Sequence, residues 1–404
     1  MPSLRPLFAL GAAACVTAAP SPSTTPAPAA PVQAAPAAAA APLPPTQDYL
    51  LFTVAESADQ AALVRFGPRG IRIEREQRVG MMPTEINGPH GVAVSPDGKW
   101  YYISIAHGTP YGTFWKYSTA KDSVAGRATL GLFPATVQIT PDGSLAFVVN
   151  FNLHGEMVPS SVSVVSTDEM VEIARITTCT MPHGSRINAA GTHQYSACMM
   201  DDMLTEIDTR TLEVSRHFLL KRGGEMGMTG APGAMSHAGH STAGMSHDSV
   251  MSMASSVQCS PTWAQPSARG DKVYVACNKS NEIVEIDFAT WKMTRRWDAK
   301  DGVYNLAVSP DGKLLVATNK RAKSITIYET AGGTEVVTLP TFKGVVHGVV
   351  ISPDNRYAFV TEEGRGSEAG ILEVFDLAAR RSVATLELGQ QAAGLDFFRM
   401  EPAR

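Results

Sequence analysis

The chain has 404 residues, of which 44% are hydrophobic and 18% charged, so it is long enough to bury one large core or two smaller ones. Its formal net charge is −4, which gives no positive field for a polyanion and argues against nucleic acid as the main partner.

The N-terminus is typical of an exported protein. One arginine and the short apolar run PLFALGAAAC predict a signal peptide over residues 1–20, because the run is too short for a membrane span. Cys15 ends that run, so two outcomes stay open: a lipid anchor on Cys15, as in a lipoprotein, or ordinary cleavage nearby. Residues 21–46 are almost all Ala, Pro, Ser and Thr, which predicts a disordered linker.

From residue 47 to about 400 the chain repeats one pattern. Each copy is an alternating apolar run, a turn of the Pro-Asp-Gly type and a second apolar run, which together predict a β-hairpin. Clear copies are GVAVSPDGKWYYIS (91–104), TVQITPDGSLAFVV (136–149), GSRINAAGTHQYSA (184–197), NLAVSPDGKLLVAT (305–318) and GVVISPDNRYAFVT (348–361). A divergent copy occupies 261–276, and two further strand-like runs follow each hairpin.

The period of these repeats indicates the architecture. Their turn residues are Gly98, Gly143, Gly191, Gly270, Gly312 and Asn355, with separations of 45, 48, 79, 42 and 43 residues. Four strands in forty-odd residues are typical of a β-propeller blade. A further blade begins at YLLFTVAE without a first strand, and AGLDFFR (393–399) is a first strand with nothing after it. We therefore predict an all-β, seven-bladed β-propeller whose C-terminal strand completes the N-terminal blade.

The hairpins GVAVSPDGKWYYIS and NLAVSPDGKLLVATN, with the later LEVFDLAARRSVATLELG, resemble the YVTN-type (YncE-like) seven-bladed propellers of bacterial periplasm and surface layers. The resemblance covers about 350 residues. It implies the propeller fold, but it assigns no catalytic residue, because similar propellers carry different sites.

The separation of 79 residues locates an insertion between blades four and five, at 222–257. We predict a flexible loop, rich in Met and His. Its candidate metal ligands are His237, His240, His247, Met226, Met228, Met235, Met245, Met251 and Met253. The segment MSHAGHSTAGMSH resembles the Met/His tracts of periplasmic copper-handling proteins.

Five other histidines are expected on the same face as this insertion. His90, His183 and His347 each precede their turn residue by eight positions, which puts them at the start of innermost strands, around the central channel. His107 and His154 follow the second strands of blades two and three. Imidazole and thioether are borderline and soft donors that suit copper. The alternative for each histidine is a structural role at a strand entrance, and for the insertion a disordered loop without ligands.

The remaining four cysteines occupy equivalent places in blades four and five, around Gly191 and Gly270. In an exported protein this favours two disulfides, Cys179 with Cys198 and Cys259 with Cys277, although a cross-blade pairing stays open. A thiolate metal site is less expected, because no C-x-x-C spacing is present.

These observations predict an exported protein, periplasmic or lipid-anchored, that binds copper or a similar soft metal at one channel mouth. A periplasmic oxidoreductase, a lactonase-like enzyme with a metal or cofactor over the channel, and a non-catalytic scaffold for another periplasmic protein are the alternatives. The sequence has no G-x-S-x-G, H-E-x-x-H, P-loop or C-x-x-C-H motif, so catalytic residues stay unassigned.

Overall fold

A computed structural model of the chain describes residues 41–81, 84–107, 111–233 and 256–404. Within these residues antiparallel strands form seven sheets. The innermost strand of each sheet contacts the innermost strands of both neighbouring sheets, all the way round the ring. The predicted seven-bladed propeller is therefore confirmed. No described segment forms a helix with the length and hydropathy of a membrane span.

The strands follow the repeats in chain order. Blades one to four contain β1 (Gln47–Ala55), β2 (Gln60–Gly67), β3 (Gly70–Arg78), β4 (Pro89–Val94), β5 (Trp100–Ile105), β6 (Thr113–Ser118), β7 (Val124–Thr129), β8 (Pro134–Ile139), β9 (Leu145–Asn150), β10 (Pro159–Ser166), β11 (Val171–Thr180), β12 (Pro182–Ile187), β13 (His193–Cys198), β14 (Met203–Asp208), β15 (Glu213–Leu219) and β16 (Met226–Thr229). Blades five to seven and the closing strand are β17 (Pro261–Pro266), β18 (Lys272–Cys277), β19 (Glu282–Asp287), β20 (Lys292–Asp298), β21 (Val303–Val308), β22 (Leu314–Asn319), β23 (Ser324–Glu329), β24 (Thr334–Pro340), β25 (Val346–Ile351), β26 (Tyr357–Glu362), β27 (Ala369–Asp376), β28 (Arg381–Gln390) and β29 (Ala392–Pro402).

The repeated turn explains why each hairpin forms where the sequence predicts it. The N–H of Gly98 donates to the carbonyl of Ser95 at 2.9 Å, and Gly98 has a φ of 69°. All six turn residues have positive φ, including Asn355 at 63°. Glycine adopts this left-handed conformation most readily, and asparagine is the next most tolerant residue type. This preference accounts for the five glycines and the one asparagine at the turns.

The ring closes as the sequence predicts. β29 pairs antiparallel with β1, so the C-terminal strand is the innermost strand of the N-terminal blade. Apolar residues of adjacent blades then pack face to face, as where Phe52 of blade one stacks on Tyr101 of blade two with ring centroids 4.2 Å apart. Without β29, the backbone N–H and C=O groups along the inner edge of β1 would be exposed, and closure pairs them.

Blade four differs from the prediction of four strands per blade. β16 pairs with β15 and adds a fifth, outermost strand. Residues 226–229 of the insertion, expected as flexible loop, are therefore part of a sheet, while residues 234–255 lie outside the described residues.

Both predicted disulfides are present, but the first one does not lie within blade four, because Cys179 is in β11 of blade three and Cys198 in β13 of blade four. Cys179 is bonded to Cys198, and Cys259 to Cys277. The chain that returns from the insertion is also held by Asp202, whose buried carboxylate accepts the N–H groups of Gln258, Cys259 and Ser260 at 2.7–2.9 Å. The two bonded pairs fit an oxidising, exported environment.

Candidate functional site

Three of the predicted histidines lie at equivalent positions around the channel. His90 is the second residue of β4, His183 of β12 and His347 of β25. In each blade the residue before the histidine pairs with the last residue of the blade's second strand. The shared register puts the three imidazoles at one level of the ring.

The glycine after each of these histidines allows the innermost strands to come close together. A Cβ atom at Gly91 would collide with the carbonyl oxygen of Ala135, and one at Gly184 with that of Thr262. The His-Gly pairs therefore have a structural role in packing neighbouring blades. The same close approach brings the imidazoles of separate blades into contact range.

The imidazoles meet around the hydroxyl of Tyr304, the second residue of β21. The ring centroid of His90 lies 5.4 Å from that of His347 and 6.1 Å from that of His183. The Tyr304 hydroxyl is 3.0 Å from Nε2 of His183 and 3.4 Å from Nε2 of His347. Three imidazoles and one phenol from four blades thus form one cluster, which we call the histidine cluster.

Nδ1 of each imidazole in the cluster faces a hydrogen-bond acceptor, and this contact orients the ring. Nδ1 of His90 donates to the Glu56 carboxylate at 2.8 Å, and Nδ1 of His183 donates to the Thr262 carbonyl at 3.1 Å. Nδ1 of His347 faces the Ala393 carbonyl without completing a hydrogen bond. These contacts turn Nε2 of His90 and Nε2 of His183 toward the interior. Nε2 of His90 is buried and has no partner among the described residues.

Burial keeps two imidazoles of the cluster, those of His183 and His347, uncharged. Desolvation, reinforced by the charge of His90, lowers the pKa of His183 to about 3. Desolvation, with Lys320 nearby, also holds the pKa of His347 well below its usual value. Burial alone would raise the pKa of Glu56, but His90 and His107 outweigh it and bring that pKa down to about 2. Neutral imidazoles beside an ionised carboxylate are the protonation states that a cation requires.

The two other predicted framework histidines lie at the same mouth, one layer outward. Nε2 of His107 donates to the second oxygen of Glu56 at 3.0 Å, and this bond raises the pKa of His107. The ring centroid of His154 is 6.1 Å from that of His107, and both rings pack against Phe133. His154 is exposed. The convergence of five histidines at one mouth is thus present, although only three belong to the cluster.

An ion pair covers the Tyr304 side of the cluster. Nζ of Lys320 lies 3.9 Å from the ring centroid of Tyr304 and 2.9 Å from Oε1 of Glu363. That oxygen is also 3.9 Å from Nε2 of His347. Glu363 therefore pairs with Lys320 beside the cluster, and the lysine charge still contributes to the lowered pKa of His347.

The cluster has the donors of a metal site without its full geometry. In the part of the chain that the structure describes, no group of three or more His, Cys, Asp or Glu side chains is placed to hold a metal ion. Three imidazoles on a tetrahedral ion, at metal–nitrogen distances of about 2.0–2.1 Å, bring their ring centroids to roughly 5 Å from each other. The His90–His347 separation of 5.4 Å and the His90–His183 separation of 6.1 Å exceed this by about 1 Å or less.

Three residues of this site were not expected from the sequence. Tyr304 precedes Gly312 by eight positions, the spacing of the three histidines, so the same count identifies it. Lys320 directly follows β22, as His107 lies just after β5. Glu56 follows β1 in the blade that has no turn to count from, so only ring closure puts it beside His90.

Two of the other predicted ligands lie far from the cluster. Met226 and Met228 lie in β16, at the outer edge of blade four, with β12 to β15 between them and the channel. His237, His240, His247, Met235, Met245, Met251 and Met253 lie outside the described residues. The expectation that all the loop ligands and channel histidines converge is therefore wrong for Met226 and Met228, because a fifth strand fixes them.

Comparisons with known proteins support the fold. No protein-family model matches the chain, and no curated protein matches it. Among solved structures, the chain is similar to a periplasmic gluconolactonase from Pseudomonas aeruginosa, with 14% identity over 87% of this chain and 99% of that chain and a TM-score of 0.63.

Two further structures show the same likeness. A putative 6-phosphogluconolactonase from Bacteroides uniformis has 14% identity over 87% of this chain and 99% of that chain, with a TM-score of 0.62. The hydrazine synthase of Kuenenia stuttgartiensis has 19% identity over 78% of this chain and 92% of that chain, with a TM-score of 0.56. At these identities the similarities establish the propeller fold of this chain.

Proposed function

We propose that the protein is an exported, periplasmic metal-binding propeller whose site is the histidine cluster. The observation that carries this proposal is the direction of the imidazoles, because His90 and His183 both donate Nδ1 to an acceptor. Nε2 of His183 then lies 3.0 Å from the Tyr304 hydroxyl, and Nε2 of His90 is buried without a partner among the described residues. Metal-ligating histidines characteristically donate their other nitrogen to a carboxylate or a carbonyl in this way. The two disulfides and the resemblance to periplasmic YVTN-type propellers support the compartment.

The donor set favours a borderline divalent ion. His90, His183 and His347 would hold the ion through Nε2, with the Tyr304 oxygen as a fourth donor. Imidazole nitrogen suits Cu(II) and Zn(II), whereas Cu(I) prefers thioethers and thiolates. Copper therefore remains the proposed metal in its oxidised form, with zinc as the competing ion, and the role is capture rather than turnover.

The test is calorimetric titration of the full chain, stripped of metal, with Cu(II) and with Zn(II). We expect one tight site that is lost when His90, His183 and His347 are all replaced by glutamine. A variant without residues 234–255 is the matched control, and it should retain that site. Loss of the site only in the loop deletion would refute binding at the channel. Circular dichroism of each variant confirms that the fold is intact.

A second candidate function, hydrolysis of a small lactone, is favoured by the pair of Glu56 and His90. A buried imidazole held through Nδ1 by a carboxylate, with Nε2 unpartnered, is the arrangement of a general base. Two of the structurally similar proteins are named as lactonases. Hydrolysis of δ-gluconolactone by the metal-free protein, abolished by His90→Gln, would support this function, and no turnover above background would reject it.

A further inference from the structure

Below the histidine cluster the propeller channel contains a polar cavity of about 290 Å³. His90 and His347 line it, together with Gln138, Arg186, Gln265 and Asp396. Arg186 is three residues beyond His183 on β12, so it lies about 10 Å further along the channel. The cavity therefore borders the cluster at His90 and His347 and extends away from it toward Arg186.

The guanidinium of Arg186 is the unusual group in this cavity. It lies over the indole of Trp263, 4.5 Å from the ring centroid. Among the described residues its hydrogen bond runs from Nη1 to the carbonyl of Ser185 at 3.1 Å, and the nearby negative charge is that of Asp396. Burial lowers the pKa of Arg186 to about 10, so the group remains charged at neutral pH. Arg186 is half-buried, and a cation partly removed from water without an anionic partner is costly unless something else neutralises it.

Asp396 faces the same channel but is already engaged. Its two oxygens accept the N–H groups of Val94 at 2.7 Å and Phe397 at 2.9 Å. Burial raises the pKa of Asp396 to about 6, so its carboxylate is still largely ionised at pH 7.5. The cavity therefore has a guanidinium with free donors and a facing acid that would repel a doubly charged anion.

Two more groups on the cavity wall lack partners. Nε1 of Trp263 and Oδ1 of Asn305 are buried and make no hydrogen bond within the described residues. Trp263 is 4% exposed and Asn305 2% exposed, and both line the cavity. Buried polar atoms are almost always satisfied in folded proteins, so an unpaired donor and acceptor beside an unpaired cation indicate a bound polar molecule.

We infer that this cavity binds a small organic acid with one carboxylate, held by Arg186 against Trp263. The planar guanidinium matches a carboxylate with two parallel hydrogen bonds. A hydroxyl group on the same acid would accept the N–H of Trp263, and another would donate to Oδ1 of Asn305. The cavity is at the small end of ligand sites, which suits an acid of a few carbons. This inference does not rest on metal binding.

The test is calorimetry on the metal-free full chain with sodium acetate, lactate and gluconate. Sorbitol serves as the uncharged counterpart of gluconate, and inorganic phosphate as the competing oxyanion. We expect one saturable site for at least one of the three acids and none for sorbitol. Arg186→Gln should weaken binding at least tenfold. Arg399→Gln is the matched control, because Arg399 also lies over an aromatic ring, 4.4 Å from that of Phe398, but is 50% exposed. It should bind as wild type does.

Asp396→Asn provides a test that loss of folding cannot imitate. Removing the facing negative charge should tighten acid binding at pH 7.5, while the melting temperature of each variant reports on the fold. The inference is overturned if none of the three acids binds, if phosphate binds more tightly than all of them, or if Arg186→Gln binds as wild type does.

Discussion

The Glu56 carboxylate lies 2.8 Å from Nδ1 of His90, a contact made across the boundary between blades one and two. Its other oxygen lies 3.0 Å from Nε2 of His107, so one buried acid orients two histidines. The backbone N–H of Glu56 donates to the carbonyl of Gln391, directly before β29, at 2.9 Å, so the closing strand helps to hold Glu56 in place. The closure of the ring thus prepares the site.

Replacement of Glu56 by glutamine should weaken metal binding without moving the ligands. The change keeps the side-chain volume but removes the charge that orients His90, and loss of such a partner typically lowers metal affinity about 10–100-fold. Calorimetric titration with Zn(II) measures the affinity of the variant and of wild type. Glu172→Gln, which alters an exposed ion pair with Arg175, is the control and should leave affinity unchanged. Equal affinities for both variants would show that Glu56 does not support the site.

The buried state of His183 should appear as a pH-dependent stability difference. Its pKa is about 3 in the folded protein, below the ordinary value of 6.5, so the unfolded chain takes up its proton first as pH falls. The stabilisation that the neutral form provides is complete above pH 6.5 and is lost progressively toward pH 3. The cost is at most about 1.4 kcal/mol per pH unit.

The comparison with His183→Gln isolates this effect. Glu362 and Asp396 have pKa values raised by burial, to about 9 and about 6, and therefore change stability in the opposite sense over part of the same range. Urea unfolding of both proteins between pH 6.5 and pH 4.5 should show wild type losing stability relative to the variant. A difference that stays constant with pH would contradict a buried, neutral His183.

Asp202→Ala should destabilise the base of the insertion. The substitution leaves three N–H groups without their charged acceptor and places alanine at a φ of 47°. We expect the free energy of unfolding to fall by about 3 kcal/mol. Asp301→Ala removes an exposed ion pair with Arg321 and should cost less than about 1 kcal/mol. Urea denaturation compares the two, and similar small losses would mean that Asp202 does not anchor the chain.

Loss of one disulfide should be measurable but not prevent folding. Cys179 and Cys198 are 19 residues apart, and a loop of this size is worth about 3 kcal/mol when cross-linked. The double variant Cys179→Ser, Cys198→Ser should therefore unfold at lower urea concentration, and thiol titration should confirm that Cys259 and Cys277 stay bonded. An unchanged midpoint would show that the bond adds no stability.

The repeats predict most of the fold because each blade uses the same turn. Counting eight residues back from that turn also locates His90, His183 and His347, and the structure brings them together. The same count reaches Tyr304, which a search for metal-binding residue types passes over because phenol is an uncommon ligand.

The rest depends on contacts that a local pattern does not contain. Glu56 meets His90 through closure by a strand from the far end of the chain. The composition of the insertion indicates a loop, but residues 226–229 form a strand that pairs with β15 at the outer edge of blade four. Arg186 is a charged residue on an innermost strand that lines the channel, and that placement is a signal in the sequence that the cavity explains.

Anomalous diffraction from crystals of the full chain grown with Zn(II) tests the histidine cluster most directly. We expect a peak within about 2.0–2.2 Å of Nε2 of His90, His183 and His347, with the three rings drawn inward. Peaks confined to other residues, with the rings unmoved and Nε2 of His90 still unpartnered, would contradict a metal site in the channel.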